Sequence, residues 1–291
     1  MNFRTDMADE RNEKLSPDTD GIECEFINKA GVRISRITVL DEQGEQVIGK
    51  PAGKYITLDV KPFGENAEIL DGRVQVLADE LKRLIPDKGT VLVAGLGNEQ
   101  ITPDALGPRT ASMLLATRHL KSETVKSFGM ENLRSTAAII PGVMGRTGIE
   151  TVEIIEGIAS KIKPSAIIVI DALASCRTER LGTTVQISDT GVSPGSGVGN
   201  FRSKIDRTTL GVPVIAIGVP TVVDSVTLAQ DIIEKNGLSV QLKETDNQKM
   251  MMVTPREIDL VIERASKFIA MGINCALQEN LQPEEILSVM G

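Results

Sequence analysis

Three stretches, TVLVAG at 90–95, SAIIVI at 165–170 and VPVIAIGV at 212–219, are close to unbroken apolar runs. A strand with one wet face alternates apolar and polar residues. A run that is apolar on both faces must be covered on both, as in a parallel sheet between two helical layers. Segments of helical period lie between and after these runs: TGIETVEIIEGIASKIKP, TVVDSVTLAQDIIEKNG and TPREIDLVIERASKFIAMGINCALQ. The pattern predicts an α/β fold, a mostly parallel sheet with helices on both faces. Helices are also predicted over 65–85 and 104–120, and short strands in ENLRSTAAIIPGV and GTTVQISDTG. Earlier, GVRISRITVLDEQGEQVIGKPAGKYITLDV alternates with period two, which predicts a smaller N-terminal β addition over 21–60 with DEQGEQ as its turn. The reading is thus a mobile, polar N-terminal region at 1–20 and one α/β domain over 21–291.

Composition removes several classes of function. Aromatic residues make up 2% of the 291, with no Trp and one Tyr, so an aromatic cage or a stacking platform for single strands is not available. A net charge of −8 argues against direct contact with nucleic acid. Cys24, Cys176 and Cys275 are widely spaced without a CxxC pair, so neither a zinc site nor a disulfide framework is suggested, as suits a reducing cytosol. The chain has a single His, His119, so a His-rich metal site is ruled out by count. No apolar run reaches the length of a membrane span.

Ligands of open α/β sheets bind beyond the carboxyl ends of the strands. Asp171 directly ends SAIIVI, and Asp104 follows GLGNEQITP. Each also fits a helix N-cap. Two carboxylates meeting in one cleft can share a proton and activate water, a natural route to acid–base work in a chain with one His. Further acids in comparable places are Glu150, Asp189 and Asp224. GSGVGN at 195–200 could form an anion nest or simply allow close backbone approach.

Taken in order, GLGNEQITPDALGP, TRH, PGVMGRTGIET, IDALAS, TTVQISDTGVSPGSGVGN and TLGVPVIAIGVPTVVD closely resemble the germination proteases of spore-forming bacteria, over about residues 3–278. The resemblance implies an atypical aspartic endopeptidase that degrades small acid-soluble spore proteins, with catalytic Asp104 and Asp171 and no cofactor or metal. It also implies a sheet like that of hydrogenase-maturation endopeptidases, a tetrameric homo-oligomer and a cytoplasmic location in the forespore and spore core. Family members are zymogens that remove an N-terminal segment themselves. FRTDMADE is similar to that region and places the cut between Asp6 and Met7, on the scheme of the substrate motif T-E-[IF]-A-[SG]-E. An acid at the cleaved position calls for a cation or backbone donors, for which Arg146 and Arg177 are candidates by position. The stretch 236–250 is much shorter than the insertion of Bacillus-type members. The alternative reading is a related maturation peptidase with a metal-bearing client.

Overall fold

A computed structural model describes residues 5–8, 10, 19–65, 68, 70–120, 133–195, 203–237 and 251–290. The chain begins its sheet with β1 (Ile22–Lys29) and β2 (Val32–Val39), passes through α1 (Glu42–Ile48) and returns in β3 (Gly53–Asp59). Next come α2 (Arg73–Lys82), β4 (Val91–Gly95), a 3-10 turn at Thr102–Asp104, α3 (Leu106–Ser112) and β5 (Thr136–Ile139). Then follow α4 (Met144–Thr147), α5 (Thr151–Ile162), β6 (Ala166–Ala174), β7 (Thr184–Ser188) and α6 (Arg207–Leu210). The last elements are β8 (Val214–Asp224), α7 (Ser225–Lys235), β9 (Met252–Val253), α8 (Ile258–Leu277) and α9 (Pro283–Met290).

The strands join in one mixed sheet, ordered β1-β2-β3-β7-β8-β6-β4-β5, with β9 on the far end of β8. The apolar runs form its parallel part: β5, β4, β6 and β8 are successive parallel neighbours. The N-terminal β addition joins the same sheet, because β7 pairs antiparallel with both β3 and β8. Residue parity shows why those runs had to be apolar throughout. Val91, Val93, Ile168, Ile170, Ile215 and Ile217 pack in the core under α2, α3 and α8. Their alternates Leu92, Ala94, Ile167, Val169 and Val214 pack on the opposite face, with Val152, Ile155 and Ala159 of α5. The first core also takes in Ile34, Ile56 and Leu58, so the N-terminal strands share it.

Three local expectations shift. DEQGEQ is a helix rather than a turn: Asp41 caps it, accepting from Gly44 N at 3.0 Å, and Gly49 stops it at φ +68°. The helix foreseen over 104–120 ends at Ser112, because other elements capture the chain that follows. Leu115 N donates to Asn274 Oδ1 of α8 at 3.0 Å, and Thr117 N to Thr136 O of β5 at 3.0 Å. His119 is exposed in the turn beyond. The helix foreseen over 65–85 covers only Arg73–Lys82, entered through Gly72 at φ +88°.

Candidate active site

The carboxyl ends of β4, β6 and β8 open into a cleft of about 590 Å³, and both Asp104 and Asp171 line it. Asp171 continues the row of Ile167 and Val169 and is the first residue of that row to face the cleft rather than hydrocarbon. It is 9% exposed, and its Oδ1 accepts from Ala172 N at 3.0 Å. Asp104 arrives from the loop after β4. Its Oδ2 accepts from Asn98 N at 2.7 Å, tying the acid back onto the GLGN turn. Gly97 permits this turn: its φ is +112°, and a Cβ there would lie 2.1 Å from Asp104 O. Behind the acids the backbones nearly touch. A Cβ on Gly107 would lie 2.2 Å from Leu96 O and 2.5 Å from Ile170 O, so α3 can reach β4 and β6 only with glycine at that position.

The N-terminal segment, expected as part of a mobile tail, lies in this cleft where it is described. Asp6 lines the same cleft as the two acids, and Met7 and Ala8 are fully buried. Asp6 pairs with the last residue of β6: Asp6 N donates to Ala174 O at 3.0 Å, and Ala174 N donates to Asp6 Oδ2 at 2.9 Å. The carbonyl oxygen of Asp6 accepts from Lys50 Nζ and from Gln186 Nε2, each at 3.0 Å. Gln186 Oε1 accepts in turn from Ala8 N at 2.7 Å. Glu10, 6% exposed, fastens the segment further along by accepting from Cys176 N at 3.0 Å, Arg177 N at 3.1 Å and the hydroxyls of Thr5 and Ser175. Burial, reinforced by the Glu10 carboxylate, pushes the Cys176 thiol well above its ordinary value, so it supplies little thiolate.

Asp104, Asp171 and Asp6 line one cleft, and the other candidates lie elsewhere. Arg146 is exposed on α4 and does not line the cleft. Arg177 lines a separate hollow with Glu179 and Lys235, and its Nη1 pairs with Asp231 at 3.0 Å. The Asp6 carboxylate accepts instead from a backbone donor on β6. Asp224 caps α7 through Val226 N and Thr227 N, and Asp189 binds Lys54 N across the β3–β7 seam. Glu150 is the residue before α5, and its Oε2 is buried without a hydrogen-bond partner. Most of GSGVGN and of 236–250 lies outside the described residues. Sequence reasoning passed over Lys50, Gln186 and Glu10. Only Gln186 left a signal, as a long polar side chain inside the strand TVQIS.

Residues 2–249 match the family model described as germination protease. The chain belongs to the germination protease family. A germination protease of Caldanaerobacter subterraneus is 45% identical, with 98% of this chain and 97% of that one aligned. One from Clostridium perfringens is 41% identical over 98% of each chain, and one from Bacillus pumilus is 36% identical over 98% of this chain and 95% of that one. Among solved structures, the [NiFe] hydrogenase maturation protease HycI of Thermococcus kodakarensis matches with a TM-score of 0.37 and 18% identity, over 67% of this chain and 98% of that one.

Proposed function

We propose that this member of the germination protease family is an endopeptidase that cuts after an acidic residue. Asp104 and Asp171 are its water-activating pair, and it removes its own first six residues before attacking small acid-soluble spore proteins. The observation that carries this reading is the occupant of the cleft. Asp6 lies in the same cleft as both carboxylates, with its side chain and its carbonyl each bound. A segment that resembles the substrate and sits where substrate would sit blocks the cleft until it is cut.

The chemistry follows from the arrangement. One carboxylate of the pair takes a proton from water as the oxygen attacks the Asp6 carbonyl carbon. The other, protonated, donates toward the reacting groups, and the pair titrates as a unit. Collapse of the tetrahedral adduct breaks the bond to Met7 N, which leaves with a proton as an amine, while Asp6 leaves as a new carboxylate. The acid at the cleaved position is recognised by Ala174 N, a backbone donor at the end of β6. Burial of Met7 supports a large apolar residue at the next position, which fits Ile or Phe in T-E-[IF]-A-[SG]-E.

The test is cleavage of a TEIASE-containing peptide by protein that starts at Met7, beside Asp104→Asn and Asp171→Asn. The expected result is cutting after Glu by the parent and a loss of about a thousandfold or more in each folded variant. Cutting that survives both changes would sink the carboxylate pair.

A further inference from the structure

Lys50 and Gln186 donate to one oxygen, the carbonyl oxygen of Asp6. Lys50 lies just past the Gly49 stop of α1, in a turn fixed by Tyr55, whose hydroxyl donates to Pro51 O at 2.8 Å. Burial pushes the Tyr55 phenol up to about 12, so it stays a donor at any ordinary pH. Gln186 lies on β7, where it pairs with Gly218 of β8, and Gly218 pairs with Asp171 of β6. One rung of the sheet therefore reads Gln186, Gly218, Asp171. Neighbouring strands lie about 4.8 Å apart, which sets the backbones at Gln186 and Asp171 roughly 10 Å apart across a residue with no side chain. Gly218 lies between them, and the Leu173 side chain packs over it. A Cβ on it would lie 2.5 Å from Leu173 Cγ and 2.7 Å from Asp171 O. The Asp6 carbonyl has an ammonium at 3.0 Å and an amide N–H at 3.0 Å on its oxygen.

From this geometry, and resting on the peptidase reading above, we propose that Lys50 and Gln186 form the donor pair that grips and polarises the carbonyl of the bond to be cut. As water adds to the carbon, the carbonyl π electrons move onto this oxygen, and its charge develops against a fixed ammonium and a fixed amide. Donors already in place and shielded from water stabilise such charge without reorganising, and removing one costs about a hundredfold to a thousandfold in rate. The ammonium contributes the stronger, charge-assisted bond. Gln186 also acts on the far side of the cut, where its Oε1 fixes the strand through Ala8 N. Sequence reasoning assigned cation duty to arginines and aimed it at the acidic side chain. The structure points the cation at the backbone instead.

The experiment compares Lys50→Met, Gln186→Met and Gln186→Glu in the Met7-start protein on the TEIASE peptide. Gln186→Glu keeps an acceptor for the segment beyond the cut, removes the donor and sets a carboxylate oxygen against the carbonyl in its place. Lys50→Met and Gln186→Glu are expected to lower kcat by about a hundredfold or more with KM within about threefold, since the charge exists only in the transition state. Gln186→Met, which also drops the acceptor for Ala8 N, is expected to lower kcat as far and to raise KM as well. A kcat within about threefold of the parent in the folded variants overturns the proposal, and so does a loss confined to KM. A second reading needs no activity. In the full-length chain carrying Asp171→Asn, amide exchange at Ala8 and Ala174 is expected to speed up at least about tenfold when Gln186→Met is added. Unchanged exchange means that the pair does not hold the segment. If the parent does not cut but exchange responds, the peptidase reading has failed and the pair is a structural grip only.

Discussion

In β4, β6 and β8 each strand is covered by hydrocarbon on both faces, whereas β1 to β3 lean on charge. Arg36 of β2 donates to Glu80 of α2 through Nε at 2.9 Å and Nη2 at 2.6 Å, and also reaches Glu25 of β1 at 2.6 Å. Lys29 pairs with Asp79 at 2.6 Å, and Arg33 with Asp59 at 2.6 Å. The difference continues into the cleft. The apolar, parallel half delivers both carboxylates, at strand ends whose backbones are packed almost to contact. The antiparallel half delivers Lys50 and Gln186. Acid comes from one half of the sheet and donor from the other, and β7 against β8 is the seam across which they face.

The sharpest way to break this comparison is Gly107→Ala. The new Cβ would meet two backbone carbonyls, and neither can swing aside as a side chain would. Overpacking of this kind costs about 3 kcal/mol, and a shift of α3 carries Asp104 with it. Because misplacement by about 1 Å costs roughly a hundredfold in rate, activity should fall at least that far even in protein that remains folded. Thermal unfolding with peptide cleavage checks both parts, and a variant that unfolds and cuts like the parent would show that the close approach is not what places the acid.

The antiparallel half should answer differently. Arg36→Met leaves Glu80, 3% exposed, without its main partner, since Arg83 Nε is 3.7 Å away. A buried acid stripped of its cation is costly, and water reaching the Arg36 side moderates the effect to about 2 kcal/mol. Denaturant midpoints should show that loss while kcat stays within about twofold, because nothing between β2 and the acids has to move. A large fall in kcat would mean that the two halves are mechanically coupled and the comparison is too simple.

The same contrast explains what could be read in the sequence. The parallel strands were legible because burial on two faces leaves a continuous apolar run, and Asp171 stood out as the acid that ends one. Asp104 stood out because glycines and prolines fence it. The antiparallel half hid its contribution. Lys50 looks like any lysine after a turn, and its role depends on Gly49, Pro51 and Tyr55 aiming it across a gap. The Asp41 cap and the Gly49 stop were visible as letters, but period-two alternation on either side outweighed them. Glu10 carries no local mark at all. Its worth comes from the backbone N–H groups of Cys176 and Arg177, more than 160 positions away. Contacts of that separation leave no periodicity to find.

The smallest effect is expected at Arg177, and it separates a site residue from a structural one. Arg177 holds Asp231, but Lys235 holds the same carboxylate at 2.6 Å. Burial raises the Asp231 pKa, while hydrogen bonds from Lys235 and Arg177 more than reverse this and hold the carboxyl below its ordinary range. A depressed folded pKa contributes stability that is present above the unfolded carboxylate value and is lost as pH falls through the folded one. Arg177→Ala should therefore cost about 1 kcal/mol near pH 7, with Lys235 retaining the rest. The difference from the parent should shrink as the solution is acidified below about pH 4, where the unfolded carboxyl takes up its proton. If the proposed reading of the cleft holds, preference for Glu over Gln at the cleaved position should not change, because Ala174 N donates to the Asp6 carboxylate. A variant that kept its stability but lost the preference for acid would return Arg177 to the site and undo the assignment of recognition to the end of β6.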